Sequence, residues 1–237
     1  MDNGFESLAL SAPFSRTLSD QVANQLRQAI LRGQLKPGQR IVEQEIAQAL
    51  ALSRGPVRDA LKTLAHERLV VQYPHRGAFV AWLTLDDAEE IYSLREALEL
   101  LALRFAIKDA TDDMIAELSQ VIGQMTTRSQ QGYTPAEATD LDLDFHQTLC
   151  RISGHSRVLV AWTGLRGKVR LLLLTHRILN PMDFREHAVD WHRQLVDAML
   201  QRDSQVAAEV LRNHLAASFE TASKAIREGK LEPPNPQ

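Results

Sequence analysis

Residues 46–61 of the chain read IAQALALSRGPVRDAL, a pattern that predicts two short helices joined by a tight turn. Ser53 is a good N-cap for the second helix, because its hydroxyl can accept a hydrogen bond from a first-turn amide. Pro56 then falls in the first turn, where its missing N–H costs little. Apolar residues recur at helical spacing through both segments and beyond: Ile46, Leu50, Leu52, Val57, Leu61 and Leu64.

Two arginines make the second helix a candidate DNA-reading element. Arg54 and Arg58 are four residues apart and therefore project from one helix face. An arginine can bind a guanine edge or a phosphate through paired hydrogen bonds, and a helix-turn-helix places such side chains in the major groove. Taken alone, the segment is equally compatible with an ordinary surface helix that carries two solvated arginines.

The residues that follow predict a β-hairpin. Two short β-rich runs, 69–73 and 78–82, flank the turn sequence Pro-His-Arg-Gly. A hairpin directly after a recognition helix is a wing, and Arg76 at its tip is placed to reach a phosphate or the minor groove. Upstream, residues 18–30 have the apolar spacing of an amphipathic helix, and residues 35–40 are predicted to form a turn.

Positive charge is concentrated near the N-terminus. Residues 13–82 hold ten Lys and Arg against five Asp and Glu, a net charge of +5. Since the whole chain carries −3, the remainder carries −8. This asymmetry favours nucleic-acid binding by the first third of the chain and a different task for the rest.

From Leu85 onward the apolar spacing is wholly helical. The sequence therefore predicts a mainly α protein: an N-terminal winged helix-turn-helix with a small β-hairpin wing, then an all-α bundle of about six helices. The predicted bundle helices are 84–109, 112–130, 135–153, 156–179, 184–201 and 203–228. The predicted organisation is a flexible tail (1–13), a DNA-binding domain (14–82), a helical domain for effector binding and dimerisation (84–228) and a second flexible tail (229–237).

Cysteine and hydropathy patterns indicate the compartment. The lone Cys150 excludes an internal disulfide framework and fits a reducing cytoplasm. No apolar run reaches the ~18 residues of a membrane span, and the first residues lack the order of a signal peptide. We therefore expect a cytoplasmic protein with no membrane partner.

One aspartate and three histidines form a candidate metal site. Asp142 and His146 are four residues apart on one predicted helix, so both can bind the same ion. His192 and His214 each lie within a predicted helix, and antiparallel neighbours could bring them to the same depth. Such a set suits Zn²⁺ or Ni²⁺, with Mn²⁺ and Fe²⁺ as alternatives, and leaves coordination positions open. Each histidine taken singly is more often a packed or exposed residue than a ligand.

The N-terminal third contains three separated motifs, GQLKPGQR at 33–40, SRGPVRDAL at 53–61 and Arg-Gly at 76–77. Together they resemble the winged-helix domain of the GntR family of bacterial transcription regulators. Two residues depart from the family pattern. Ala51 stands at the corner where Gly is usual, which costs on the order of 1 kcal/mol if the backbone is left-handed, and Gly55 stands where Thr is usual. The resemblance implies DNA contacts at Arg40, Ser53, Arg54, Gly55, Arg58, Arg76 and Gly77.

The helical half carries DLDFHQTL at 142–149, Ser-Gly at 153–154 and a 22-residue step from His192 to His214. These features resemble the C-terminal domain of the FadR-type branch of that family. The resemblance implies a small organic acid as effector and a metal bound by Asp142, His146, His192 and His214. A buried carboxylate favours an arginine opposite it. The candidate effector-binding residues are therefore Arg95, Arg166 and Arg170, each with a solvated helix arginine as the alternative.

These features predict a DNA-binding transcriptional regulator, a repressor and not an enzyme, that acts as a homodimer on double-stranded operator DNA. Its control is assigned to a carboxylate-type metabolite at a divalent metal site, with Zn²⁺ as the preferred ion. Two alternatives stay open. One is a metal-dependent hydrolase or oxygenase with a DNA-targeting module, although no His-Glu-x-x-His motif occurs. The other is a regulator whose metal is purely structural.

Overall fold

The computed structural model describes residues 17–32, 34–67, 69–179 and 183–228. Within these ranges the chain forms nine helices and one three-stranded sheet. The two segments predicted as flexible tails, 1–13 and 229–237, lie outside the described residues. None of the helices in the described ranges combines the length and apolar character that crossing a bilayer requires.

The N-terminal part is a winged helix-turn-helix. A Thr17–Asp20 capping box starts its first helix. Its three strands, β1 (Arg40–Ile41), β2 (Val70–Tyr73) and β3 (Gly77–Val80), pair antiparallel in the order β1-β3-β2, with Val70 opposite Val80 in the hairpin. Its helices are α1 (Leu18–Leu31), α2 (Glu43–Ala49) and α3 (Arg54–His66).

Strand β1 is the one element of this part that the sequence did not predict. The turn expected over residues 35–40 ends before Arg40, which pairs with Phe79 of the wing. Two residues are too short a run for any alternating pattern, so this strand forms only because the neighbouring hairpin presents an edge for it to pair with.

The helix-turn-helix corner differs from expectation in its cap. Ala51 has φ 52°, so the backbone at this corner is left-handed and the conditional cost of a non-glycine residue applies. Ser53 occupies the N-cap of α3 as predicted, but its hydroxyl accepts no cap hydrogen bond, so only the hydrogen-bond part of that prediction is wrong. The third helical residue is Pro56, whose ring nitrogen has no proton to donate, and the usual partner of a capping hydroxyl is therefore missing.

The C-terminal part is the predicted all-α bundle of six helices, and every boundary lies within one residue of the expected one. Its core contains the large buried side chains Leu103, Leu118, Phe145 and Trp162. The helices are α4 (Leu85–Asp109), α5 (Asp112–Gln131), α6 (Pro135–Ile152), α7 (Ser156–Leu179), α8 (Asp183–Leu200) and α9 (Ser204–Arg227).

Helix α4 follows the wing almost directly. Strand β3 ends at Val80, and Ala81 and Leu83 are already buried in the core of the helical part. Thr84 caps α4 through a capping box with Asp87. Val71 of the wing packs against the same core. The first turns of α4 therefore lie next to the wing, while its later turns run into the bundle.

Candidate metal centre and nucleic-acid interface

Helix α3 and the wing enclose a groove of about 760 Å³ rich in positive charge. Arg54 and Arg58 point outward from α3, with side chains 59% and 55% exposed. The groove also contains one carboxylate, that of Glu43 at the start of α2. Its cationic lining residues are Arg40, Arg54, Arg58, Lys62 and Arg76.

Five of the seven residues predicted to contact DNA line this groove, namely Arg40, Arg54, Arg58, Arg76 and Gly77. The other two, Ser53 and Gly55, are exposed at the start of α3 but are not among its lining residues. Sequence reasoning missed Lys62, although it lies one turn after Arg58 on the same helix face.

Glycine is required at the wing tip for conformational reasons. Gly77 has φ +95°, a conformation that strains any other residue. A Cβ at this position would lie 3.8 Å from Nε of Arg40, an ordinary van der Waals contact, so the need for glycine comes from the backbone angle and not from lack of space.

In the helical part, the four predicted metal ligands come together in one buried cluster. Asp142 and His146 lie on α6, His192 on α8 and His214 on α9. One potential ligand atom from each lies within 4.8 Å of the others. Nε2 of His146 is 3.2 Å from Nε2 of His214 and 3.8 Å from Oδ2 of Asp142. Nε2 of His192 is 3.6 Å from Oδ1 of Asp142.

This geometry fits a divalent cation. Ligand atoms about 2.0–2.1 Å from a tetrahedral metal are separated by roughly 3.3 Å, and the three separations given above are 3.2, 3.8 and 3.6 Å. Oδ2 of Asp142 is buried without a hydrogen-bond donor among the described residues, which is costly unless a cation binds there. Burial, together with the neighbouring His192 and His146, keeps the pKa of His214 well below its usual value, so its ring is neutral and able to coordinate.

Two buried arginines flank the aspartate of this cluster. Nη2 of Arg95, on α4, lies 3.7 Å from Oδ2 of Asp142, and Nη2 of Arg177, on α7, lies 3.3 Å from Oδ1. Burial alone would raise the pKa of the Asp142 carboxyl, but Arg177 and the nearby histidines hold it well below its usual range. The aspartate is therefore ionised.

Only one of the three arginines predicted to bind an effector reaches the cluster. Arg95 does so, whereas Arg166 donates to Asp144 at 2.7 Å and Arg170 donates to Asp140 at 2.8 Å, both acids outside the cluster. Arg177 was missed. Its signal was a cation three residues after an apolar run, LLLL at 171–174, because a charge on such an apolar helix needs a partner when it is buried.

Glu99, also missed, forms the other side of the site. This fully buried side chain on α4 accepts hydrogen bonds at Oε1 from Nε of Arg95 at 2.7 Å and from Nε1 of Trp162 at 2.9 Å. Its Oε2 lies 2.6 Å from Nδ1 of His146. Burial would raise the pKa of Glu99, but Arg95 and His146 lower it far below its usual range.

Both parts of the chain match known protein families. Residues 18–80 match the family described as bacterial regulatory proteins, gntR family, and residues 90–217 match the FCD domain family. An uncharacterized HTH-type transcriptional regulator of Streptomyces ambofaciens is 32% identical over 208 residues, covering 86% of this chain and 85% of that protein. The gluconate operon transcriptional repressor of Bacillus subtilis is 29% identical over 187 residues, covering 77% and 76%.

A solved structure shares the fold. Escherichia coli McbR/YncC superposes with a TM-score of 0.63 at 22% identity, over 89% of this chain and 99% of that one. At this identity the likeness concerns the fold alone. The two family matches and the relative from Streptomyces ambofaciens identify the chain itself. It belongs to the GntR family of bacterial regulatory proteins, which are transcriptional regulators rather than enzymes, and its helical half is an FCD domain.

Proposed function

We propose that this chain binds double-stranded operator DNA as a homodimer in the cytoplasm and represses transcription until a small carboxylate binds at a divalent metal in its helical half. The observation that carries the proposal is the buried Asp142 cluster, which is flanked by Arg177 and by Arg95 of α4, the helix that leaves the wing. Repression is favoured because relatives such as the Bacillus subtilis protein are named operon repressors.

The proposed DNA contacts are made by α3 and the wing. Arg54 and Arg58 would enter the major groove, while Arg40 and Arg76 are placed for the phosphates on either side. Ser53, Gly55 and Gly77 would allow the backbone to approach the duplex closely. A two-fold dimer would present two such surfaces to a palindromic operator.

The proposed metal ligands are Asp142, His146, His192 and His214. Three imidazoles and one carboxylate at these spacings suit Zn²⁺ best, and Ni²⁺, Mn²⁺ and Fe²⁺ accept the same donors. When bound, the ion would supply positive charge, and expansion beyond four-fold coordination would give an effector a position on it. The chain supplies the orientation of the ligands and the exclusion of water.

The charges around the cluster favour an anionic effector. Among the described residues, the cations Arg95 and Arg177 balance the anions Glu99 and Asp142. A divalent ion would add two positive charges to this buried set, and an accompanying anion would reduce that cost. Nη2 of Arg95 makes no hydrogen bond among those residues and is available to a carboxylate.

Helix α4 offers the route from effector to DNA. It carries Arg95 and Glu99 at the cluster, and its capped first turn adjoins the wing. Effector and metal together would stabilise one placement of α4 and so bias the placement of the DNA-binding surfaces. The coupling cannot exceed the effector's differential affinity for the two states, which is typically 1–3 kcal/mol.

A purely structural metal is the second candidate. It is favoured by one observation: the four ligands come from three helices, α6, α8 and α9, so an ion would also link these helices. In that version, metal removal would lower stability but effector affinity would not depend on metal.

The test begins with an operator selected from random duplex DNA, followed by binding measurements on the full chain. Arg54→Ala and Arg58→Ala are each expected to weaken operator binding by about 1–3 kcal/mol, or roughly 5- to 150-fold. Arg212→Ala is the matched control, since it removes an exposed arginine from α9. Absence of any preferred duplex, or equal binding by all three variants, would refute the assignment of the DNA surface.

The effector is tested with a panel of small carboxylates in a thermal-shift assay, with and without added Zn²⁺. The proposal expects a carboxylate that raises the melting temperature only in the metal-loaded protein and weakens operator binding at the same concentration. A carboxylate that acts equally well without metal would instead favour the structural version.

A further inference from the structure

Glu99 has two oxygens with separate partners on different helices. Oε1 accepts from Arg95 of its own helix and from Trp162 of α7, while Oε2 faces Nδ1 of His146 on α6. An ion pair with Arg95 alone would account for the position of Oε1 but not for the partner of Oε2. The contact of Oε2 with His146, at 2.6 Å, needs a reason of its own.

That contact determines which nitrogen of His146 faces the cluster. Glu99 forms a buried ion pair with Arg95, and an ionised carboxylate can only accept hydrogen bonds, which assigns the proton of the contact to Nδ1 of His146. In the neutral ring Nε2 is then the lone-pair nitrogen, and it is Nε2 that lies 3.2 Å from His214 and 3.8 Å from Asp142. Metal-binding histidines are commonly held in this way by a carboxylate behind the ring.

Glu99 also restrains the arginine next to the aspartate. Nε of Arg95 is held by Oε1, which leaves Nη2 of the same guanidinium directed at Asp142, 3.7 Å away. One buried carboxylate therefore aligns both a histidine of the ligand cluster and the arginine beside it.

We propose that Glu99 is the positioning residue of the metal site: it fixes His146 in the Nε2-coordinating tautomer and orientation while anchoring Arg95. The inference rests on the proposed metal function. It predicts that metal affinity depends on a residue that does not itself touch the ion, as expected for a carboxylate behind a ligating histidine.

The experiment measures Zn²⁺ affinity of the full chain by competition with a chromophoric chelator, and the visible spectrum of the Co²⁺-substituted protein. Glu99→Gln keeps the size of the side chain, but its single carbonyl oxygen cannot serve both His146 and Arg95. We expect Zn²⁺ affinity to fall about 10- to 100-fold and the Co²⁺ bands to shift. Glu99→Asp, which retains both oxygens, should recover part of the affinity.

Two controls separate positioning from general disruption. Trp162→Phe removes a partner of Oε1 but leaves the contact of Oε2 with His146, so its Co²⁺ spectrum should match wild type. Glu96→Gln changes a more accessible acid on the same helix and should change nothing. Circular dichroism of the metal-free proteins checks that each variant is folded.

The outcomes distinguish this inference from the proposed function. If wild type and His146→Ala both fail to bind Zn²⁺ or Co²⁺, the metal function itself is wrong. If wild type binds, His146→Ala does not, and Glu99→Gln binds with wild-type affinity and spectrum, the metal function stands and the role of Glu99 is overturned.

Discussion

The carboxylate of Glu43 lies between the two arginines at the start of α3: its Oε2 is 3.3 Å from Nη2 of Arg54 and 3.5 Å from Nη2 of Arg58. A negative charge on a DNA-binding surface weakens attraction to phosphate. It can also hold two flexible guanidinium groups in one arrangement, which reduces the entropy lost when they bind base edges. Glu43 is therefore placed to reduce non-specific binding more than operator binding.

We expect Glu43→Gln to strengthen binding to non-specific duplex DNA several-fold, because one negative charge is removed from the surface that is proposed to face the phosphates. The ratio of operator to non-specific affinity should fall. Fluorescence anisotropy at several salt concentrations measures both affinities. Glu45→Gln, an exposed acid in the same helical turn, is the control. An unchanged ratio in Glu43→Gln would contradict this role.

The corner residue Ala51 should be suboptimal for stability. At φ 52°, replacement by glycine relieves left-handed strain of about 1–2 kcal/mol, partly offset by the greater entropy of glycine in the unfolded chain. We expect Ala51→Gly to stabilise by up to about 1 kcal/mol, and Ala47→Gly, in the interior of α2, to destabilise by about 1 kcal/mol or more. Urea unfolding measures the change in the free energy of unfolding for both variants. Changes of the same sign would argue against backbone strain at Ala51.

Metal removal should destabilise the helical half. At a metal concentration 100-fold above Kd, binding to the folded state contributes about 2.7 kcal/mol, so chelation should lower the melting temperature by several degrees. His192→Ala should abolish the metal-dependent shift, while His66→Ala, an exposed histidine at the end of α3, should keep it. Equal shifts in the two variants would exclude the buried cluster as the site.

Effector binding should depend on Arg177 and not on Arg170, although both lie on α7. Arg177 contacts Asp142, whereas Arg170 pairs with Asp140 outside the cluster. Loss of a charge-assisted pair costs about 1.5–3 kcal/mol, so Arg177→Met should weaken effector binding roughly 10- to 150-fold. Arg170→Met is the matched control. Calorimetric titration of the carboxylate found by the thermal-shift screen decides between them.

The sequence predicted those helices and strands that are determined by the spacing of residues close together in the chain. The wing, the recognition helix and all six bundle helices follow from apolar periodicity and breaker residues, and the structure confirms them. The missing cap hydrogen bond of α3 could also have been predicted from the sequence. Ser53 is followed three positions later by Pro56, which lacks the N–H proton that the Ser53 hydroxyl would accept.

What the sequence did not reveal depends on how distant helices pack. Glu99 is only four residues from Arg95, so an ordinary helical ion pair was foreseeable. Its contacts with His146 and Trp162 span 47 and 63 residues and exist only because α4, α6 and α7 meet in one core. The spacing of residues within one helix does not indicate which distant helices it packs against.

Helix α4 is continuous for 25 residues from Leu85 to Asp109, about 37 Å at 1.5 Å per residue. A continuous helix can pass on a change in its tilt or in its rotation about its own axis, whereas its length stays constant. Adding a single residue between Leu85 and Arg95 would turn the two ends by about 100° relative to each other while moving them apart by only 1.5 Å. Coupling between the buried cluster and the wing along α4 should therefore tolerate many side-chain substitutions. It should be lost when an inserted residue rotates the cluster end of the helix relative to the wing end.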